Sequence, residues 1–157
     1  MQSTPPLSRA DYEALAEFRY QIRRFLHFSE QAARAAGVEP QHHQLMLALR
    51  GISGEKGARI ADLAERLQLQ HHSVVELAGR LEDKGLVRRT RGDEDRREVF
   101  VQLTAVGARV LGRLSVHHRD ELRTVAPALV AALRRVSGSR RDGKISRRPR
   151  SRAARES

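Results

Sequence analysis

Gly85-Leu86-Val87-Arg88-Arg89-Thr90-Arg91-Gly92-Asp93-Glu94-Asp95-Arg96-Arg97-Glu98-Val99-Phe100-Val101-Gln102-Leu103-Thr104 is the stretch that decides the fold of this chain. Two apolar runs, Leu86-Val87 and Val99-Phe100-Val101-Gln102-Leu103, flank a polar tip containing Gly92 and Asp93. Val99, Val101 and Leu103 alternate on one face, the period of a half-buried strand. The stretch therefore reads as a β-hairpin whose tip and edges carry Arg91, Arg96 and Arg97. A ribbon tipped with guanidinium groups suits a narrow, electronegative groove of DNA.

The residues just before the hairpin carry helical spacing. Ile60, Leu63, Ala64 and Leu67 fall at i, i+3, i+4 and i+7 within a segment beginning near Ala58, one buried face of a short helix. A break at Gln68-Leu69-Gln70 follows, and Val74, Leu77, Ala78 and Leu81 repeat the pattern. Gly85 stands where a left-handed helix cap is expected, and Lys84 complements the C-terminal dipole. Two short helices, a tight turn and a hairpin make a winged helix-turn-helix. Its second helix, from about Gln70 to Lys84, presents Gln70, His71, His72, Ser73, Glu76 and Arg80 away from the core, toward a major groove.

Two segments carry a family resemblance. Leu77-Ala78-Gly79-Arg80-Leu81-Glu82-Asp83-Lys84-Gly85-Leu86-Val87-Arg88-Arg89 resembles the end of the recognition helix in MarR-type transcriptional regulators. Asp93-Glu94-Asp95-Arg96-Arg97, followed by Leu103-Thr104-Ala105-Val106-Gly107, resembles that family's wing signature. The resemblance covers residues 8–136. It implies an obligate dimer with a triangular helical body, bound to palindromic operators, usually as a repressor. It also implies that Asp95 and Arg97 brace the wing or the adjacent helix through an ion pair. Arg96 is the first choice for a wing contact to the minor groove, where narrow A·T tracts attract guanidinium groups.

Composition sets limits. The 157 residues fit one domain and suffice to bury a core. There is no cysteine, which excludes disulfides, thiolate metal sites and thiol redox switches. Met1-Gln2-Ser3-Thr4-Pro5-Pro6 lacks the basic and apolar regions of a signal peptide, and no apolar run approaches a membrane span. A cytoplasmic protein without membrane contact is expected. The net charge of +11 favours a polyanionic partner, but it is unevenly spread. Residues 137–157 hold eight Lys/Arg and two acids, a net of +6, leaving +5 on residues 1–136. The folded body is only mildly basic, so the motif, more than the charge, carries the inference.

The remaining chain reads as helices. Ser8 with Asp11 resembles an N-cap, and Leu15, Phe18, Ile22, Phe25 and Leu26 repeat at helical spacing to about Ala36, where Gly37 ends the run. Tyr12, Phe18, Tyr20, Phe25 and Phe28 lie on more than one face, so this helix must bury two sides, and a dimer partner is the natural second surface. A second helix runs from Pro40 through Ile52, and Gly51, Gly54 and Gly57 mark a loop. After the hairpin, Val106, Val110, Leu111 and Leu114 begin another long helix, which Pro127 is expected to interrupt. A short helix over 127–136 then makes the end of the chain more compact than the family pattern.

The expected architecture is thus mainly α with a small antiparallel β-hairpin wing. Residues 1–7 form a flexible N-terminus, 8–136 a single domain and 137–157 a disordered basic tail. Within the domain, about 40–104 form the DNA-binding lobe, while 8–36 and 105–136 supply the dimerisation helices.

Candidate site residues fall into three groups. For DNA, they are Gln70, His71, His72, Ser73, Glu76, Arg80, Arg91, Asp95, Arg96 and Arg97. Glu76 either accepts from a cytosine amino group or pairs with Arg80 at i+4. By resemblance, a pocket for phenolic or other aromatic anions would draw on Tyr20, Arg23, Arg24, His27, His43 and Met46, although each also suits interface packing. For a metal, the adjacent histidine pairs offer His42, His43, His117 and His118, together with Glu121. Without cysteine or a tight ligand motif, no resident metal or cofactor is expected.

No nucleophile–base motif, glycine-rich phosphate loop or dense carboxylate pair points to an enzyme. The expected function is sequence-specific regulation of transcription by a homodimer on double-stranded DNA, as a repressor released by a small aromatic or anionic effector. The competing reading is an architectural, nucleoid-type DNA-binding protein with little sequence preference, which the basic tail would also serve.

Overall fold

A computed structural model of the chain describes residues 6–138. Most of the N-terminal segment expected to be flexible, and the basic tail from residue 139, lie outside the described residues. Five helices and three short strands follow in the order α1 (Arg9–Ala35), α2 (Pro40–Ile52), β1 (Ala58–Arg59), α3 (Ile60–Leu67), α4 (His71–Asp83), β2 (Val87–Arg91), β3 (Val99–Leu103) and α5 (Ala105–Gly138). The chain divides into two compact units, one of residues 24–125 and one pairing its first 23 residues with residues 126 onward.

The larger unit holds the main core. Leu45, Met46 and Leu49 of α2, Leu63 of α3, Val74, Leu77 and Leu81 of α4, Val87 and Val101 of the sheet, and Leu111 and Leu114 of α5 form one buried cluster. The spacings read for α2, α3 and α4 point inward, whereas Leu15 and Leu26 of α1 and Val106 of α5, read on the same principle, are exposed. The sheet is fully antiparallel in the order β1-β3-β2, with Val87 opposite Leu103 and Arg91 opposite Val99.

β1 is an element the sequence reading missed. Ala58-Arg59 pairs with Val101 and Phe100 instead of opening a helix. Gly57 permits this, because its φ is 101° and a Cβ there would strike the Val101 carbonyl. Between α3 and α4, Gln68 adopts the left-handed conformation (φ 55°) and makes the tight turn. Gly85 (φ 69°) ends the segment after α4 as a left-handed cap.

The helix after the sheet begins on a clasp. Thr104 Oγ1 donates to the Gly85 carbonyl (2.7 Å) and accepts from Gly107 N–H (3.0 Å), while Thr104 N–H donates to the Leu86 carbonyl (3.1 Å). The hydroxyl caps α5 and joins it to the chain leaving α4. A Cβ at Gly107 would collide with the Leu86 carbonyl, so no other residue fits without moving backbone.

α5 corrects a second expectation. It runs unbroken to Gly138 with Pro127 inside it, rather than stopping and restarting there. Proline forfeits one backbone hydrogen bond at a cost of about 3 kcal/mol in a helix interior. Val125, Leu129, Ala132 and Val136 keep the helical spacing across the site, and Pro127 itself is exposed, so the flanking residues continue the helix over it.

In the smaller unit, Ser8 and Asp11 cap α1 reciprocally. Ser8 N–H and Oγ–H both donate to Asp11 Oδ2 (2.8 Å), and Asp11 N–H donates to Ser8 Oγ (3.2 Å). Tyr12, Leu15, Val130 and Leu133 of this unit are exposed.

Two histidines stack inside the larger unit. The His43 and His118 rings lie 4.5 Å apart at 28°, with Phe25 and Phe28 of α1 edge-on to His118. His118 Nδ1–H donates to the Leu114 carbonyl (2.6 Å), which leaves Nε2 to accept from the Ser29 hydroxyl (2.7 Å). His43 Nε2 is buried without a partner. Burial, then the neighbouring His118, lowers the His43 pKa from 6.5 to about 4.

Thr104→Ala should lower stability by about 1 to 2 kcal/mol through loss of the cap, and Gly107→Ala by about 2 kcal/mol or more through backbone displacement; urea unfolding measures both. Between pH 6.5 and 4 the unfolded chain takes up a proton at His43 that the folded chain refuses. That stability is complete above pH 6.5 and falls on acidification, by about 2 kcal/mol at pH 5. The His43→Leu variant should lack this part of the slope.

Candidate nucleic-acid interface

α4 is amphipathic, and its burial fixes which residues remain outside. With Val74, Leu77, Ala78 and Leu81 inward, His71, His72, Glu76 and Arg80 are exposed and Ser73 is half-buried. Gln70 occupies the N-cap position without a side-chain capping bond. Its side chain and those of His71, His72 and Ser73 bond to no other described residue. Arg80 Nη2 stands 3.8 Å from Glu76 Oε2, the i+4 pair, with both side chains largely in solvent. At that exposure the pair is weak and readily rearranged.

The strands place the arginines in two roles. Arg88 donates through Nε (2.9 Å) and Nη2 (2.6 Å) to Gln102 Oε1, and Gln102 Nε2–H donates to the Glu55 carbonyl (2.8 Å). Arg89 ties β2 to α4, because Glu82 accepts from both its backbone N–H and its Nε–H at 2.8 Å. Those bonds, the backbone one foremost, hold the Glu82 carboxyl below the usual range. Arg91, Arg96 and Arg97, by contrast, are exposed and have no side-chain partner among the described residues.

The hairpin loop is shaped by its own backbone. Gly92 N–H donates to the Glu98 carbonyl (2.9 Å), and Glu98 N–H to the Asp95 carbonyl (3.0 Å). The Asp95 carboxylate accepts from Arg97 N–H at 2.8 Å. Asp95 therefore braces the wing through the backbone, and the expected ion pair with the Arg97 guanidinium is not formed. A short side chain so close in sequence satisfies its neighbour's N–H at little entropic cost.

The ion pairs that do brace the wing involve residues the sequence reading missed. Arg59 clamps Asp62 with Nε (2.9 Å) and Nη2 (3.0 Å), and reaches Glu98 at the hairpin base with Nη1 (3.4 Å). The hydrogen bonds from Arg59 keep the Asp62 carboxyl below its ordinary pKa. Lys56 stands 3.5 Å from Asp93 near the tip. Arg59 and Glu98 lie 39 positions apart, so only knowledge of the β1–β3 pairing reveals the contact.

The other candidate groups fare differently. Of the pocket candidates, His43 and Met46 are buried in the larger unit, where Arg24 and His27 are exposed. Tyr20 and Arg23 belong to the smaller unit and are exposed as well. The residues do not converge within one unit. A cavity of about 490 Å³ in the larger unit is lined instead by Phe28, Ala32, Val110, Leu114, Arg113 and His117, among others.

The histidine pairs split up. His43 stacks on His118, both ring nitrogens of His118 are engaged, and His117 points elsewhere, into that cavity wall. His42 is buried toward α4, where burial, then the charge of Lys84, lowers its pKa. Among the described residues no three His, Asp or Glu side chains are grouped to hold a metal ion.

Comparison with known proteins places this geometry. The MarR family model matches residues 36–98, from just after α1 through the wing loop. A putative transcriptional regulatory protein for the hcr operon of Thauera aromatica is 29% identical over 96 residues, 61% of this chain and 56% of that protein. The uncharacterized HTH-type transcriptional regulator YfiV of Bacillus subtilis is 37% identical over 65 residues, 41% of this chain and 38% of that protein. The chain thus spans about half or less of the length of these relatives.

Among solved structures, AbsC, a MarR family transcriptional regulator from Streptomyces coelicolor, superposes with a TM-score of 0.69 at 22% identity, over 88% of this chain and 99% of AbsC. MepR of S. aureus in its DNA complex gives 0.63 at 19%, over 78% and 94%. CouR from Rhodococcus jostii RHA1 bound to p-coumaroyl-CoA gives 0.57 at 20%, over 73% and 84%. At such identities the likeness is one of fold. No helix among the described residues is long and apolar enough to cross a membrane. The match over residues 36–98 and the shared fold make this chain similar to MarR family proteins in its winged helix-turn-helix region.

Proposed function

We propose that the chain is a sequence-specific DNA-binding regulator of transcription, not an enzyme, acting in the cytoplasm as a homodimeric repressor on a pseudo-palindromic operator. The observation that carries this reading is the pairing of an open α4 face with a wing whose Arg91, Arg96 and Arg97 have no protein partner among the described residues. Arginines without internal carboxylates are free to neutralise phosphates or enter a minor groove. The exposed His71, His72, Glu76 and Arg80, with half-buried Ser73, offer donors and acceptors to base edges.

Dimerisation is assigned to residues 8–36 and 105–136, and DNA contact to about 40–104. Tyr12 (62% exposed) and Leu133 (48%) support this division, since large apolar side chains so open to water are natural interface material. Two-fold symmetry then sets half-sites about 10 base pairs apart.

An effector is assigned to the cavity bounded by Phe28, Leu114, Arg113 and His117, whose apolar walls and cationic rim suit a small aromatic anion. CouR, of the same fold, has been solved with p-coumaroyl-CoA bound. Occupancy would favour one dimer geometry over another and so release DNA.

Footprinting of the DNA upstream of the protein's own coding sequence should reveal two protected half-sites related by a dyad. Uniform protection of all DNA would favour an architectural protein instead. Arg96→Ala should weaken binding to the protected duplex by about 1 to 3 kcal/mol. The dimer should be unaffected, and unchanged affinity would remove the wing from the interface. Leu133→Glu should shift the protein toward monomer in analytical ultracentrifugation, and an unaltered dimer would place the interface elsewhere.

A further inference from the structure

Val75 stands out on the open face of α4. It is 37% exposed, and it lies one turn from His71 and His72 on one side and from Gly79 on the other. One turn away on that face stand His71, His72 and Gly79, which are polar or lack a side chain, and Val75 is not among the residues of the buried core. A β-branched residue is a poor choice at an exposed helix position, where alanine costs less in side-chain entropy. A locally unfavourable residue on a surface that meets a ligand points to the ligand.

The surroundings name the chemistry. Gly79, one turn on, carries no side chain, and the Arg89 guanidinium lies across that position about 3.7 Å from where a Cβ would stand. Arg80, with its weak Glu76 pair, flanks the face on the opposite side. An apolar knob bordered by two carboxylate-paired guanidiniums, Arg89 with Glu82 and the weakly held Arg80 with Glu76, suits a polar partner with an apolar feature on its readable edge. In the major groove that feature is the C5-methyl group of thymine, the only apolar group presented there.

We propose that Val75 is a specificity-determining residue whose γ-methyls pack against a thymine methyl in each operator half-site. This rests on the DNA-binding reading above and deepens it, since it assigns a base to a position on α4. Val75 contributes no charge and no hydrogen bond, so its effect is confined to sequences that carry the methyl.

The test uses the full chain and the duplex protected in footprinting, synthesised with each thymine in turn replaced by deoxyuridine, which removes only the methyl. One symmetric pair of replacements should weaken wild-type binding about fourfold per half-site, the value of one buried methyl. Val75→Ala should bind the thymine duplex correspondingly less well, and the same replacement should then cost it less than twofold. Its thermal midpoint should equal or exceed that of the wild type, which separates lost recognition from lost folding. If the wild type binds the duplex selectively but no deoxyuridine replacement matters, or if Val75→Ala keeps the full penalty, Val75 does not read thymine and the broader reading survives. If the wild type shows no selective binding, both fall together.

Discussion

Thr104 sits where three elements must agree. Its hydroxyl donates to the carbonyl of Gly85 just beyond α4 and accepts from Gly107 in the first turn of α5, and its backbone N–H takes the Leu86 carbonyl. Leu103, immediately before it, closes the hairpin register opposite Val87. One residue thereby fixes the end of the helix proposed to read DNA, the root of the wing and the start of the long α5. A hydroxyl is suited to this because it donates and accepts at once. Gly107 completes the arrangement by letting two backbones approach to contact. Loosening this junction would let the wing and α4 shift independently, and a surface of two parts binds duplex DNA only while their spacing is held.

Around that junction the charged groups divide by occupation. Arg59, Arg88 and Arg89 are engaged by Asp62, Glu98, Gln102 and Glu82, and they hold the β1–β3–β2 sheet against α3 and α4. Arg91, Arg96 and Arg97 project from the same ribbon without internal partners among the described residues. Residues 1–136 carry a net of only +5, so the arrangement of charge matters more than its sum. Engaged cations confer shape and open ones confer affinity.

Much of this was legible in the sequence wherever the deciding interactions were local. Helical spacing located α2 and α4 nearly to the residue, and Gly85 marked the cap after α4 because only a left-handed turn is available there. The strand alternation of Val99, Val101 and Leu103 gave β3. What escaped was non-local. β1 is two residues long and exists only because β3 offers an edge to pair with. The Arg59–Glu98 contact follows from that pairing and has no sequence signature. Pro127 was read by its own chemistry, whereas the apolar residues on both sides of it decide that α5 continues. The pocket residues were chosen by type along α1 and α2, whereas the cavity proposed for an effector is lined by residues of α1 and α5 that the sequence reading did not assign to it.

The most direct test of a sequence-reading surface is the affinity of the full chain for the duplex upstream of its own coding sequence, against a scrambled duplex of equal length, across a salt titration. Counterion release contributes to both alike and weakens steeply with salt, whereas base readout separates them. A regulator with the interface described here should prefer its own duplex by about a thousandfold or more near physiological salt. Equal affinity for the two duplexes at every salt concentration would contradict it.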